Sequence, residues 1–358
     1  MNKQGLCMVG SPLNGLNNYN MLPTVTIICP VYNEEKYISV CMESMLAFNY
    51  PKELMEIIFV DGMSNDKTRN IIHTYIQTYP FIRLLDNNDK YVSFAMNKGI
   101  EEAKGDYIIR MDAHAYYPSD YIRVLIQKAF ELETDNIGCL CKTDVYHKTY
   151  KTLAIKEVLS HPLGVGNSLF RIGITEITES DTVPFGCFRK DVFERFGLYD
   201  TRLIRNQDIE LNKRIKSKGG KICLIPDTHC VYYARETWKA LFANNFQNGK
   251  WNILTVFYTS NLFSLSIRHF IPLCFVLSLL LPLILSFIHI SFAYLSLISA
   301  IAYLSLITYT SLNITQKKQL HFLSLWISFI LIHLSYGLGS LSGLFIIPFR
   351  RKNTSSNA

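Results

Sequence analysis

The stretch Val25-Thr26-Ile27-Ile28-Cys29-Pro30-Val31-Tyr32-Asn33-Glu34-Glu35 joins a short β-branched run to a polar turn, and the amphipathic segment Glu35 to Phe48 follows. An apolar run of this length bounded by turn residues reads as a buried strand, and the segment behind it as a helix. The unit recurs downstream: Glu56 to Val60 then Lys67 to Tyr79, Ile82 to Leu85 then Val92 to Lys104, Tyr107 to Met111 then Ser119 to Leu132, and Ile137 to Cys141. Strand and helix in alternation predict an α/β fold with a mainly parallel sheet. Ligands of such sheets sit beyond the carboxyl ends of the strands, where the loops gather on one rim.

Three polar clusters fall on that rim: Pro30 to Glu34, Asp61 to Asp66, and Asp112-Ala113-His114. A tyrosine at a strand end can lie flat on a nucleobase, with Asn or Glu meeting its polar edge. Asp61 is either a turn-capping residue or an acceptor for a base N–H. Strand alternation places Asp112 and His114 on one side, where they can chelate a cation or grip a ribose and phosphate. Asp208 opens the helical stretch Asp208 to Lys218, as a cap that complements the helix dipole or as a general base. No G-x-G-x-x-G follows a strand, and neither G-x-x-x-x-G-K-[ST] nor H-E-x-x-H occurs. Dinucleotide oxidoreductases, P-loop NTPases and zincins are therefore disfavoured.

Charge divides the chain. Residues 237–358 hold eight Lys and Arg and no Asp or Glu, leaving 28 Lys and Arg against 29 Asp and Glu before them. The formal charge of +7 is thus a property of an apolar tail with cationic anchors, a membrane segment's pattern, and gives the near-neutral front no footprint for nucleic acid. The nine cysteines are scattered and mostly lie in apolar runs, which predicts reduced thiols in a cytosolic compartment. The close pair Cys139 and Cys141 reads as buried strand. Residues 1–23 lack a signal peptide's apolar core and read as a loose lead-in.

Phe270 to Ile288 and Phe292 to Thr310 have membrane-spanning length. Leu320 to Ile347 is longer and carries Gly337, Gly339 and Gly343. Arg268, Lys317-Lys318 and Arg350-Arg351-Lys352 all favour the cytoplasmic side, which calls for an even number of crossings. The third stretch then either breaks at its glycines into a re-entrant or double pass, or violates the charge bias. Thr237 to Trp251 reads as an interfacial helix or as an ordinary domain helix. The expected organisation is a lead-in (1–23), an α/β domain (24–236), an interfacial helix and linker (237–268), a membrane region (269–349) and a basic cytoplasmic tail (350–358).

Taken in order, Pro30 to Glu34, Val60-Asp61-Gly62 with Ser64 and Asp66, Ala95 to Gly99, Gly105 to Ile108, Asp112-Ala113-His114, Gly186 to Lys190, Gly197 to Asp200, Gln207-Asp208 and Gln247-Asn248-Gly249-Lys250-Trp251 resemble the family 2 glycosyltransferases. The D-A-H triplet and the apolar tail resemble most the membrane-bound succinoglycan-biosynthesis type. The resemblance covers about Val25 to Trp251. It implies a GT-A fold, a nucleotide-diphosphate sugar donor, UDP-linked first of all, and inversion at the anomeric carbon. By the same resemblance Pro30, Tyr32, Glu34 and Asp61 hold the nucleoside, and Asp112 and His114 face the ribose, the diphosphate and a divalent cation (Mn²⁺ or Mg²⁺). Asp208 is then the base, with Gln247 over the diphosphate and Trp251 at the acceptor. Two positions depart from the family pattern: His114 replaces a carboxylate at the metal site, and Gln207 replaces the Glu before Asp208.

These features lead to the expectation of a multi-pass enzyme of the inner (plasma) membrane with a cytoplasmic catalytic domain. Its acceptor would be a lipid-linked saccharide in surface-glycan synthesis. A polyprenyl-phosphate glycosyltransferase and a catalytically silent glycosyltransferase-like subunit are the alternatives.

Overall fold

A computed structural model describes residues 22–349; the expected lead-in up to Met21 and the basic tail from Arg350 lie outside the described residues. The strands are β1 (Val25–Val31), β2 (Met55–Asp61), β3 (Ile82–Asp86), β4 (Tyr107–Arg110), β5 (Ala115–Tyr116), β6 (Asn136–Asp144), β7 (Thr178–Glu179), β8 (Cys187–Arg189) and β9 (Ile222–Tyr233). The front-domain helices are α1 (Ile38–Leu46), α2 (Thr68–Thr78), α3 (Val92–Glu102), α4 (Tyr121–Leu132), α5 (Tyr150–Val158), α6 (Pro162–Val165), α7 (Leu169–Ile172), α8 (Asp191–Phe196) and α9 (Gln207–Ser217). Behind them come α10 (Trp238–Thr259), α11 (Ile271–Leu285), α12 (Ser291–Lys318) and α13 (Phe322–Ile346).

One sheet runs in the order β3-β2-β1-β4-β8-β6-β9-β5, with β7 on β9. The first four strands are parallel, as expected, and β1 and β2 are buried almost continuously because helices cover both faces. The far half is mixed: β8 runs antiparallel between β4 and β6, while β6 and β9 pair in parallel. The alternation predicts β6, at Ile137 to Cys141, but not β8 or β9: β8 is three residues long, and β9 contains Pro226 and slips register against β6 opposite Cys139 and Leu140. Cys139 and Cys141 are buried within β6.

The tail corrects one expectation. The helix α13 runs unbroken from Phe322 to Ile346 through Gly337, Gly339 and Gly343. These glycines serve close approach: a Cβ on Gly339 would collide with the Phe246 carbonyl of α10, and one on Gly249 with the Tyr336 carbonyl of α13. Small residues let two helix backbones meet in this way. Trp238 Nε1 donates to Ser328 Oγ (3.0 Å) and Ser340 Oγ to the Gly249 carbonyl (3.1 Å), so the two helices run side by side in the same direction. In turn α10 is seated on the front domain through Leu241, packed with Val145, Ile155 and Ala234, and through Trp251, packed with Leu203. The segment that reads as an interfacial or a domain helix thus packs on the front domain, with α13 as its partner.

Three helical stretches, Ile267–Leu285, Ser291–Lys318 and Phe322–Phe349, are long and apolar enough to cross a membrane. Of these, α11 and α12 form a hairpin whose tip, Phe287 to Ile290, is strongly exposed. Both ends of α13 touch the front domain. Leu325 and Phe329 pack with Ala154 and Val158 of α5, and Ile347 packs against the Leu203–Trp251 cluster.

Candidate active site

The turn Val31 to Glu35 and the loop Gly62 to Lys67 interlock at the carboxyl ends of β1 and β2. Asn33, in the left-handed region at φ 56°, accepts the Asn65 N–H on its side chain (2.9 Å) and donates its own N–H to Ser64 Oγ (2.9 Å). Glu34 N–H donates to Thr68 Oγ1 (2.8 Å) and Glu35 N–H to Asp66 Oδ2 (3.1 Å). These bonds fix a cleft of about 130 Å³ lined by Pro30, Tyr32, Glu34, Arg110, Asp112 and His114 among others. Tyr32 is 47% exposed and lies open at its edge.

Asp112 and His114 line the cleft together, past the end of β4 and in the turn before β5, while Met111, Ala113 and Ala115 are buried. The Asp112 carboxylate takes the Arg110 guanidinium at 3.1 Å (Nε to Oδ1) and 3.4 Å (Nη2 to Oδ2), and its backbone N–H donates to the buried Tyr117 hydroxyl (2.8 Å). His114 Nδ1 faces Glu34 Oε1 at 3.2 Å, which leaves Nε2 free for a ligand. Burial disfavours a charged imidazole there, but Glu34 and Asp112 outweigh it and raise the His114 pKa above 6.5.

With Glu34 engaged by His114 Nδ1, a divalent ion would find the Asp112 carboxylate and the other imidazole nitrogen in this cleft, and no group of three or more metal-type side chains occurs among the described residues. Two protein donors are too few to hold an ion unaided. They fit one bound chiefly through a donor's diphosphate, which is how Mg²⁺ and Mn²⁺ commonly sit.

Three expected residues stand elsewhere. The Asp61 side chain is fully buried and accepts Ser64 N–H (3.0 Å), Ser64 Oγ–H (2.5 Å) and Arg69 Nη1 (2.7 Å). It shapes the loop beneath the cleft and presents no surface to a base. Gln247 is exposed, and Trp251 is buried with Leu203, Leu254 and Tyr258. Helical phase turns Asn244, Asn245 and Asn248 of α10 toward the site instead.

Asp208, in the first turn of α9, lines a second and larger cavity of about 580 Å³. The loop before it is tethered to α10, since Asn206 (φ 61°) donates its Nδ2 to Asn252 Oδ1 (2.9 Å). The cavity passes from Asp208, Arg171 and Tyr232 to Phe275 of α11, Tyr303 of α12 and His333 of α13. Arg110 lines the rim cleft. Burial opposes its charge, but Asp112 and Asp208, both close by, raise its pKa further above the usual arginine value. Sequence reading passed over Arg110, although its place two residues before Asp112 puts it on the same side of the strand.

A parallel sheet with a rim cleft beside a carboxylate-bearing chamber is the GT-A arrangement, and this protein is a glycosyltransferase built on it. The chain belongs to glycosyltransferase family 2: it matches the Glycosyl transferase family 2 profile over residues 26–197. It is 31% identical over 231 residues to a dolichyl N-acetyl-alpha-D-glucosaminyl phosphate 3-beta-D-2,3-diacetamido-2,3-dideoxy-beta-D-glucuronosyltransferase of Methanococcus voltae, covering 63% of this chain and 71% of that one. It is 30% identical over 226 residues to the succinoglycan biosynthesis protein ExoA of Rhizobium meliloti (strain 1021), covering 63% and 67%. In fold it is similar to mannosyltransferase PcManGT from Pyrobaculum calidifontis in complex with GDP-Man and Mn²⁺. That likeness has a TM-score of 0.60 at 15% identity and covers 91% of this chain and 88% of that one.

Proposed function

We propose that this membrane glycosyltransferase moves a sugar from a nucleotide-diphosphate donor in the rim cleft to a hydroxyl of a lipid-linked saccharide lying in the chamber, during synthesis of a surface glycan. The observation that carries this reading is the continuity of the chamber from Asp208 to the membrane helices, with Arg110 of the rim cleft under the electrostatic influence of both Asp112 and Asp208. The names of the two relatives, one acting on a dolichyl-linked sugar and one in succinoglycan biosynthesis, agree with it.

A sugar hydroxyl is a weak nucleophile at neutral pH. Asp208 takes its proton as the oxygen bonds to the anomeric carbon, and the nucleoside diphosphate leaves from the opposite face, inverting that carbon. Tyr32 and Pro30 bear on the nucleoside, and Glu34 steadies the His114 ring. Asp112 and His114 Nε2 would hold a divalent ion, which when bound neutralises charge on the leaving diphosphate. UDP-sugars are the first donors to try.

The even-crossing expectation finds a simpler solution than a broken helix. In this reading α11 and α12 cross the membrane, and α13 lies along the catalytic domain with its outer apolar side, Leu338, Leu344 and Phe345, toward lipid.

The deciding experiment is transfer by purified protein with a panel of nucleotide sugars and a polyprenyl-linked acceptor. Asp208→Asn should lower turnover by about 10²–10⁴-fold. Normal turnover in that variant would exclude Asp208 as the base and point to an acceptor phosphate, which needs none. Failure of any donor to turn over would leave a silent binding subunit.

A further inference from the structure

Two arginines line the chamber from separate parts of the chain, and a third is bonded to two of its wall residues. Arg171, on α7, lines the cavity beside Tyr232, with its guanidinium carbon 5.4 Å from that ring's centroid and 5.6 Å from that of Phe170, and it donates to Thr143 Oγ1 (3.2 Å). Arg235, just past β9, lines the same cavity. Arg205, in the loop before α9, donates its Nη1 to Asn244 Oδ1 (3.0 Å) and Asn248 Oδ1 (2.5 Å), both on the cavity wall. Among the described residues none of the three has a carboxylate within ion-pairing distance, whereas Arg69, Arg110, Arg202, Arg214 and Arg268 are all paired.

Arg205 is held off its usual pKa first by burial and then by the neighbouring Arg235. Arg205 is half-buried and Arg235 exposed, so the two unpaired guanidiniums leave a positive potential open to an anion. Aromatic rings and amide oxygens orient them without neutralising them. Planar guanidinium forks are suited to phosphate, which they bind bidentately. Beyond the arginines the wall becomes apolar, through Phe275, Leu306 and Ile332 between the membrane helices. Anion recognition at one end and an apolar channel at the other match a lipid that carries a phosphate at its head.

We propose that Arg171, Arg205 and Arg235 form the binding site for the phosphate or diphosphate of a polyprenyl-linked acceptor, whose chain runs into the gap between α11, α12 and α13. This rests on the reading that the chamber takes a lipid-linked acceptor, and it adds the residues that recognise the head. The saccharide beyond the phosphate is thereby directed toward Asp208, on the same wall.

The test is equilibrium binding to the full-length protein in detergent with no donor present, so its outcome does not depend on transfer. The probes are farnesyl diphosphate, farnesol, inorganic diphosphate and UDP. Farnesyl diphosphate should bind at least tenfold more tightly than farnesol or inorganic diphosphate, and Arg171→Met and Arg235→Gln should each weaken it about tenfold. UDP affinity should be unchanged in both variants. Melting temperatures near the parent's confirm that the variants fold, and Arg171→Lys, which keeps the charge, should recover part of the loss. Equal binding of farnesol and farnesyl diphosphate would overturn the proposal. So would parent-like affinity in both variants, or loss of UDP binding in them, which would assign the arginines to the donor's diphosphate. The reading of the chamber as a transfer site fails separately, by absence of turnover with every donor while farnesyl diphosphate still binds.

Discussion

Lys318, the last residue of α12, sets its ammonium 2.7 Å and 2.9 Å from the two carboxylate oxygens of Glu157 on α5. The far end of the membrane hairpin is thereby tied to the catalytic domain, as its near end is by Arg268, whose Nη2 stands 3.4 Å from Asp181 Oδ2. In the proposed topology a hairpin anchored at both feet crosses twice. With α13 returning to the Leu203–Trp251 cluster, the chain after Ile347 should stay on the catalytic side. In sealed right-side-out membranes an impermeant maleimide should label Ser291→Cys at the hairpin tip and spare Ser355→Cys. Labelling of Ser355→Cys from outside would establish three crossings.

Metal dependence follows from the sparse donor set of the cleft. Chelation should abolish transfer, Mn²⁺ should restore it better than Mg²⁺ because a nitrogen donor suits it better, and His114→Asp should shift that preference toward Mg²⁺. Full activity in chelator would show that the cleft works by its own cations.

The contact between α10 and α13 has almost no slack. Gly339→Leu forces a branched side chain against the Phe246 carbonyl and should cost about 1–3 kcal/mol or more, read as a lower melting temperature in detergent. Leu338→Ala, one residue away at an exposed position, should change it little.

Asp181 gives a pH dependence with a definite sign. Burial alone would raise its carboxyl, but the Ser266 hydroxyl, Arg268 and Lys213 hold it below the ordinary value of 3.8. A carboxyl depressed in the folded state adds stability that is present above its unfolded pKa and is lost as pH falls from about 4 toward the lower folded value. Asp181→Asn should therefore be less stable than the parent by about 1–2 kcal/mol at pH 7, with the gap closing below about pH 4. A gap independent of pH would mean that the aspartate contributes shape and not charge.

The donor cleft was largely readable before folding because its parts are local. Pro30, Tyr32 and Glu34 stand at the end of one strand, and Asp112 and His114 follow the end of another within four residues. Asp61 is harder to read: its partner Arg69 lies eight residues on, at the start of α2, and only the folded loop brings that guanidinium onto the carboxylate. Gln247 and Trp251 sit on a helix whose phase is set by two partners, the catalytic domain on one side and α13 on the other. Neither partner is encoded in the helix itself.

The sequence by itself determined the alternation that makes the sheet, the rim that carries the cleft, and an acid-free apolar tail that belongs in a membrane. Tertiary structure decided what the tail does. The glycines of α13 read as breaks because glycine weakens an isolated helix, but the energy of packing against α10 exceeds that propensity, and the missing side chains become the contact. The meeting of Arg171, Arg205 and Arg235 was likewise invisible along the chain. Charges so far apart in sequence acquire a common electrostatic field only when the sheet, α10 and the membrane helices close a chamber around them.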